Sequence, residues 1–541
     1  MRSPRVALGD PRAAAASVLG AFLVYQFLVR EPRTLTTQLI ALFLALLILP
    51  LIARRPTASL CVLLVLLPFQ LITFSWLLKH GVPASLLRHL GAAKDLLLAG
   101  LLLRGVQDWL ALRRSRLARL DIWLLLYVGL VTAYLVAPIA LPALTPIPLS
   151  QRLTAWRLDV FFLVLFVALR WMRPGSIDTR AVRATVLGAG AVVAAGCAWE
   201  YFDSSGWSNF LYKTLGVQQY TAVVLNNPIL PGSFLHTTAD GSVRAGSVLL
   251  EPVFAAFYLL PPFFLAVTVI ASKRSVLGSL LAGLLGLGLI CTSTRSALLV
   301  GLLGAAYITL RVLRSGTRYV KVFVPVLVIA IALSPGLVAQ TSLVSRISQA
   351  VSGQDTSTQG HSNDLSLGFQ RAVDEPLGTG LGSGAGVGQR FEVHNQATTE
   401  NAYLQVVVET GAIALLMFLG ILLLITRGLI TLPASTASAK RDRTGALALM
   451  MAMALGGLLQ TVWLSFSVSV TAIVVLALPH LTPAEAEAGD DDELSEASGP
   501  HPEPPPAARP PRAAGPAGSR AAHTHPAARQ TSARDPAARG R

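Results

Sequence analysis

The chain has 541 residues, of which 53% are hydrophobic and only 13% charged, with a formal net charge of +16. A soluble domain is about a quarter charged, so this composition excludes a soluble globular enzyme. No basic, aromatic-bearing soluble face is visible, which excludes a nucleic-acid partner and leaves the charge as a topology signal. The three cysteines, Cys61, Cys197 and Cys291, lie in or at the ends of apolar runs and show neither metal spacing nor a disulfide framework.

Apolar runs of membrane-spanning length recur along the chain. Arg2, Arg5 and Arg12 precede the first one. Tyr25-Gln26-Phe27-Leu28 stands where a signal peptidase would need small residues, so this run is expected to be a transmembrane helix. Helices are predicted near 13–29, 35–53, 58–78, 84–103, 120–140, 156–172, 181–199, 248–270, 275–291, 296–312, 318–338, 402–426, 444–463 and 466–480. The expected fold is therefore an all-α polytopic integral membrane protein with about 14 (12–14) transmembrane helices.

The charges orient the bundle. Arg54 and Arg55, the arginines from Arg104 to Arg119, Arg170 to Arg180, Lys273-Arg274, Arg311 to Arg318, and Lys440 to Arg443 fall in alternate gaps. By the positive-inside rule these gaps are cytoplasmic, and so are both termini. Arg30 and Arg33 are the main exception. Four parts are expected: an N-terminal bundle, 1–338, with an external loop at 200–247; a large external loop, 339–401; C-terminal helices, 402–480; and a cytoplasmic tail, 481–541. The tail is rich in Ala, Pro and Arg around an acidic block, Asp490 to Glu493. It cannot bury a core and is expected to be disordered.

Charge also occurs where a membrane protein should avoid it. Lys94-Asp95 and Arg157 with Asp159 are expected to be structural pairs. Arg244-Ala245-Gly246 leads into Glu251-Pro252, with Glu251 expected about one turn inside the eighth helix. Arg295 sits in Thr292-Ser293-Thr294-Arg295-Ser296 between two apolar runs. Arg244 and Arg295 fall on the same predicted side, and guanidinium groups bind phosphate in a bidentate way. The 339–401 loop adds His361, His394, Glu400 and Asn401. Its glycine run, Gly378 to Gly388, would let the backbone close over a glycan.

The order of these motifs resembles the O-antigen ligase/polymerase superfamily. The motifs are Arg-x-Gly before a Pro-initiated apolar helix, Thr-Ser-Thr-Arg-Ser, Pro376-Leu377-Gly378-Thr379-Gly380-Leu381-Gly382, and Glu400-Asn401-Ala402-Tyr403-Leu404 followed by Glu409 and Gly411. The resemblance covers roughly 240–430. It implies a GT-C-like, metal-independent and inverting glycosyltransferase without a cofactor. Such an enzyme takes a polyprenyl-pyrophosphate-linked glycan donor and a saccharide acceptor at the outer face of the cytoplasmic membrane, among membrane lipid. It implies Arg244 and Arg295 as pyrophosphate ligands, with Glu251 and Tyr403 in support. Ligases of the family carry His-Asn where this chain has Glu400-Asn401, while His394-Asn395 lies six residues earlier. Glu400 is therefore the first expectation for the general base, His394 and His361 follow, and a polymerase-like member is favoured. The tail is a candidate for contact with a chain-length regulator. The rival reading is a flippase for lipid-linked oligosaccharide, which has less use for so long an external loop.

Overall fold

The structure is a computed structural model. It describes residues 49–482, apart from 92, 113–116, 138–146, 225–235, 238–242, 273–274, 315–355, 385–400 and 435. The predicted helices 13–29 and 318–338, most of 35–53, and the tail beyond Thr482 lie outside the described residues.

The described helices are α1 (Pro56–Lys79), α2 (Ala84–Leu90), α3 (Ala93–Ala111), α4 (Arg119–Val136), α5 (Leu149–Trp171), α6 (Thr179–Phe202), α7 (Ser204–Asn209) and α8 (Val217–Val223). After a two-stranded ladder, β1 (His236–Thr237) and β2 (Val243–Arg244), come α9 (Pro252–Ser272), α10 (Val276–Cys291) and α11 (Arg295–Arg314). Then follow α12 (Thr356–Asp374), α13 (Ala402–Thr431), α14 (Ala437–Leu459) and α15 (Phe466–Leu481). Among the described residues seven helices are long and apolar enough to cross a membrane: α1, α4, α6, α9, α11, α13 and α14. The chain is an all-α polytopic membrane protein.

Local chemistry sets the helix starts. Pro56 opens α1, where a missing N–H costs little. Asp178 accepts the N–H groups of Arg180 and Ala181 at the start of α6, Ser275 that of Gly278 at α10, and Thr436 that of Ala439 at α14. Small residues then let helices touch. A Cβ on Gly105 of α3 would lie 2.5 Å from the Ala168 carbonyl oxygen of α5, and one on Gly288 of α10 would lie 2.7 Å from the Ala194 Cβ of α6.

The core is built around α5 and α15, which are buried along nearly their whole length. Because α5 is enclosed by protein, its charged residues avoid lipid. The Arg157 guanidinium reaches both carboxylate oxygens of Asp95, at 2.8 and 2.7 Å. Lys94 instead lies 4.7 Å from the Phe466 ring centroid and 3.5 Å from the Gln70 amide oxygen. The expected pairs Lys94–Asp95 and Arg157–Asp159 are thus replaced by one pair between helices. Neighbours in sequence point to different faces of a helix, so partners come from across the packing.

Other boundaries shift for similar reasons. The predicted helix 84–103 is broken at Gly91. The predicted 156–172 helix begins at Leu149, and the predicted 444–463 helix at Ala437. The 200–247 segment holds helical turns as far as Val223, and 339–401 contains α12. Glu251 is not a turn inside α9 but immediately before it.

The two ends of the bundle differ. At one end Arg104 pairs with Asp108 at 3.1 Å, Arg170 with Asp121 at 2.7 Å and Arg183 with Asp442 at 2.6 Å. There too the Gly175 N–H donates to the Leu481 carbonyl at 3.0 Å. These residues flank gaps expected to be cytoplasmic. At the other end lie the starts of α5, α9, α11 and α13, together with the glycine run.

Candidate functional site

Two assemblies occupy that second end. The first surrounds the arginine motifs. β2 ends at Arg244, and the next N–H, of Ala245, donates to the carbonyl of Cys291 at 3.1 Å. Cys291 closes α10, and Thr292-Ser293-Thr294 turns the chain into Arg295 at the start of α11. The Thr294 hydroxyl donates to the Pro252 carbonyl at 3.3 Å. The Arg244 segment, the Glu251-Pro252 helix start and the Thr-Ser-Thr-Arg turn are therefore one unit.

This unit holds unusual backbone. Ser247, Leu250 and Ser293 have φ of 52°, 61° and 51°. Non-glycine residues rarely take that conformation, which costs about 1–3 kcal/mol each and clusters at functional sites. Glu200, at the end of α6 and buried, accepts the Ser247 N–H at 2.6 Å, and the Ser247 hydroxyl donates to the Val193 carbonyl at 2.9 Å. These bonds hold the turn that follows Arg244. Arg244 and Arg295 are each partly exposed. The Glu251 carboxylate is 3.7 Å from the His236 imidazole.

The second assembly is the glycine run. Residues 376–384 are docked on α13 rather than standing free as a lid. α13 is kinked at Gly411, with φ 84° and ψ 174°. Around the kink the loop supplies what the helix ladder lacks. Thr379 N–H donates to the Val408 carbonyl at 2.7 Å, Gly380 N–H to the Glu409 carbonyl at 3.2 Å, and Ala412 N–H to the Pro376 carbonyl at 3.0 Å. The buried Glu409 side chain accepts the N–H groups of Gly382 and Gly384, each at 3.1 Å, and the Gln405 amide at 2.9 Å. Tyr134 of α4 donates to the Leu377 carbonyl and Gln151 of α5 to that of Gly382, both at 2.7 Å.

Glycine is required where the loop meets α13. A Cβ on Gly384 would lie 2.4 Å from the Glu409 carboxylate, and one on Gly378, whose φ is 78°, would lie 2.8 Å from the Gly411 nitrogen.

Asn401 caps α13. Its side-chain oxygen accepts the N–H groups of Tyr403 and Leu404 at 2.9 and 3.1 Å, and its amide donates to the Leu458 carbonyl at 2.9 Å. The Tyr403 hydroxyl donates to the Ala454 carbonyl at 2.7 Å. Both side chains anchor the start of α13 to α14. Below this start a small void is lined by Tyr127, Asp159, Phe162, Phe418 and Trp463. Asp159 is buried there, and among the described residues no hydrogen bond or ion pair reaches its carboxylate.

His361 lies on α12. His394 and Glu400 lie outside the described residues. Sequence reasoning passed over Glu200, although a carboxylate ending an apolar helix is a signal. It also passed over His236, whose partner Glu251 lies fifteen residues further along the chain.

The fold and site define a multi-pass membrane protein whose arginine motifs and glycine run lie at one end of a helical bundle. Residues 280–419 match the family model for O-antigen ligase. The match supports membership of the O-antigen ligase superfamily and, with it, a glycosyltransferase-like membrane enzyme of the ligase/polymerase type acting on glycan substrates. It takes in the Thr-Ser-Thr-Arg turn, the glycine run and the upper half of α13. No curated protein matches the chain.

Proposed function

We propose that the protein joins saccharide units from a polyprenyl-pyrophosphate-linked donor onto a sugar hydroxyl at the outer face of the cytoplasmic membrane, as a polymerase or a ligase. The observation that carries this reading is the Ala245–Cys291 hydrogen bond. It sets the Arg244 segment beside the turn that presents Arg295. Two guanidinium groups at the end of a bundle fit a pyrophosphate whose lipid tail lies in the bilayer.

In this reading Arg244 and Arg295 stabilise the leaving pyrophosphate, which needs charge balance more than a proton. The acceptor hydroxyl attacks the anomeric carbon from the opposite face, giving inversion. Its proton goes to a base from the 385–400 stretch, Glu400 first and His394 next, or to His361. A positioned base contributes ~10²–10⁴-fold. The docked glycine run and the α13 start form the floor over which the acceptor lies. Neither a metal nor a cofactor is assigned a role. In this reading both termini are cytoplasmic, which the Lys/Arg asymmetry of the loops supports.

The test uses purified protein in proteoliposomes with a lipid-linked oligosaccharide. The expected result is a longer glycan on lipid or acceptor, lost in Arg295→Lys and Arg244→Ala variants that still insert. Lysine keeps the charge but loses the planar fork. Translocation of the lipid without any new glycosidic bond would replace this reading with a flippase.

A further inference from the structure

We infer that His236, beside Glu251, is a third ligand for the donor pyrophosphate, an inference that rests on the assignment of Arg244 and Arg295 to that group. The geometry starts from the ladder: β1 and β2 run antiparallel with His236 directly opposite Arg244 and Thr237 opposite Val243. Directly opposed residues project to the same face, with Cβ atoms about 4.5–5.5 Å apart. The imidazole therefore shares the side of the ladder from which the Arg244 guanidinium extends.

Glu251 reaches that face from the start of α9. Its carboxylate is 3.7 Å from the imidazole Nε2, an ion-pair distance, and the two side chains are 40% and 37% exposed. The carboxylate lies on the Nε2 side of the ring, so Nδ1 is the nitrogen turned from it. The groups facing His236 among the described residues are Glu251, from the start of α9, and Arg244, from β2. Arg295 and the buried Glu200 belong to the same unit, and Asp240 of the connecting segment lies outside the described residues.

Position decides between two roles for this imidazole. In an inverting transfer the base stands on the sugar face opposite the leaving group. His236 stands with Arg244, on the side of the leaving pyrophosphate, so its chemistry is pyrophosphate binding rather than proton abstraction.

The experiment measures binding of a glycan-free fluorescent polyprenyl pyrophosphate to the full-length protein in nanodiscs at pH 6. His236→Ala is expected to lose about tenfold in affinity, the size of one charge-assisted hydrogen bond. His236→Lys, which keeps a donor to phosphate at this position, should restore binding. Wild-type affinity in His236→Ala at pH 6, with Arg244→Ala and Arg295→Ala impaired, overturns the role of His236 alone. Wild-type affinity in all three overturns the pyrophosphate site itself.

Discussion

The carboxylate of Glu409 accepts the backbone N–H of Gly384 at 3.1 Å, tying a glycine loop to a helix twenty-five residues further along the chain. The same carboxylate accepts the Gly382 N–H and the Gln405 amide. A buried acceptor that serves several donors is costly to remove, because each donor left unpaired costs about 1–3 kcal/mol.

Glu409→Ala is therefore expected to lower the melting temperature in detergent and to abolish transfer. Glu409→Gln keeps one oxygen but turns an NH₂ against a backbone N–H, so it should fall between the two. Gly384→Ala should resemble Glu409→Ala, since its Cβ would meet the same carboxylate at 2.4 Å. Thermal shift and transferase assays on the same preparations check this. Full activity in Gly384→Ala would show that the docking has no bearing on turnover.

The Asp95–Arg157 pair gives a second expectation. Both side chains are buried, and breaking such a pair costs about 3–5 kcal/mol because the remaining charge has no partner. Asp95→Asn and Arg157→Met should each destabilise the protein by that order. The double variant should recover much of the loss, since apolar or neutral replacement of both members is often tolerated. Chemical denaturation in mixed micelles would measure the coupling.

The base is tested by three substitutions. Glu400→Gln cannot take a proton, so turnover should drop ~10²-fold or more with donor binding kept, while His394→Ala and His361→Ala remain milder. A dead His394→Ala beside an active Glu400→Gln would assign the proton transfer to the imidazole six residues earlier.

Topology is open to direct labelling. A cysteine at Ser366, on α12, should react with an impermeant thiol reagent in intact cells, whereas one at Ser519 should react only after lysis. The reverse pattern would place the arginine unit on the wrong side for a lipid-linked donor.

Much of the fold was legible because hydropathy reports lipid exposure directly. The predicted 58–78, 181–199 and 402–426 spans fall within α1, α6 and α13. α5 was cut short because Ser150, Gln151 and Arg152 read as loop. Inside a bundle such residues find partners, as Gln151 does on the Gly382 carbonyl. The ion pairs were misassigned because adjacency in sequence says little about contact between helices. Within the site, the motifs and their order were visible. What they bind was not: Glu409 and the glycine run are separate signals until the kink at Gly411 brings them together. His236 acquires meaning only once strand pairing sets it opposite Arg244.

The kink in α13 also constrains how the enzyme can move. Near the middle of the kink, the helix carbonyls of Val408 and Glu409 and the N–H of Ala412 are bonded to the loop. Val408 and Glu409 are buried in protein, and each buried group left without a partner costs about 1–3 kcal/mol. Loop and helix are thus spliced into one hydrogen-bonded ladder, and opening one without the other is costly. Under the proposed function, access for a glycan must come from rigid displacement of this spliced body or from neighbouring segments. In hydrogen–deuterium exchange, the amides of Thr379, Gly380 and Ala412 should stay protected together and become exposed together.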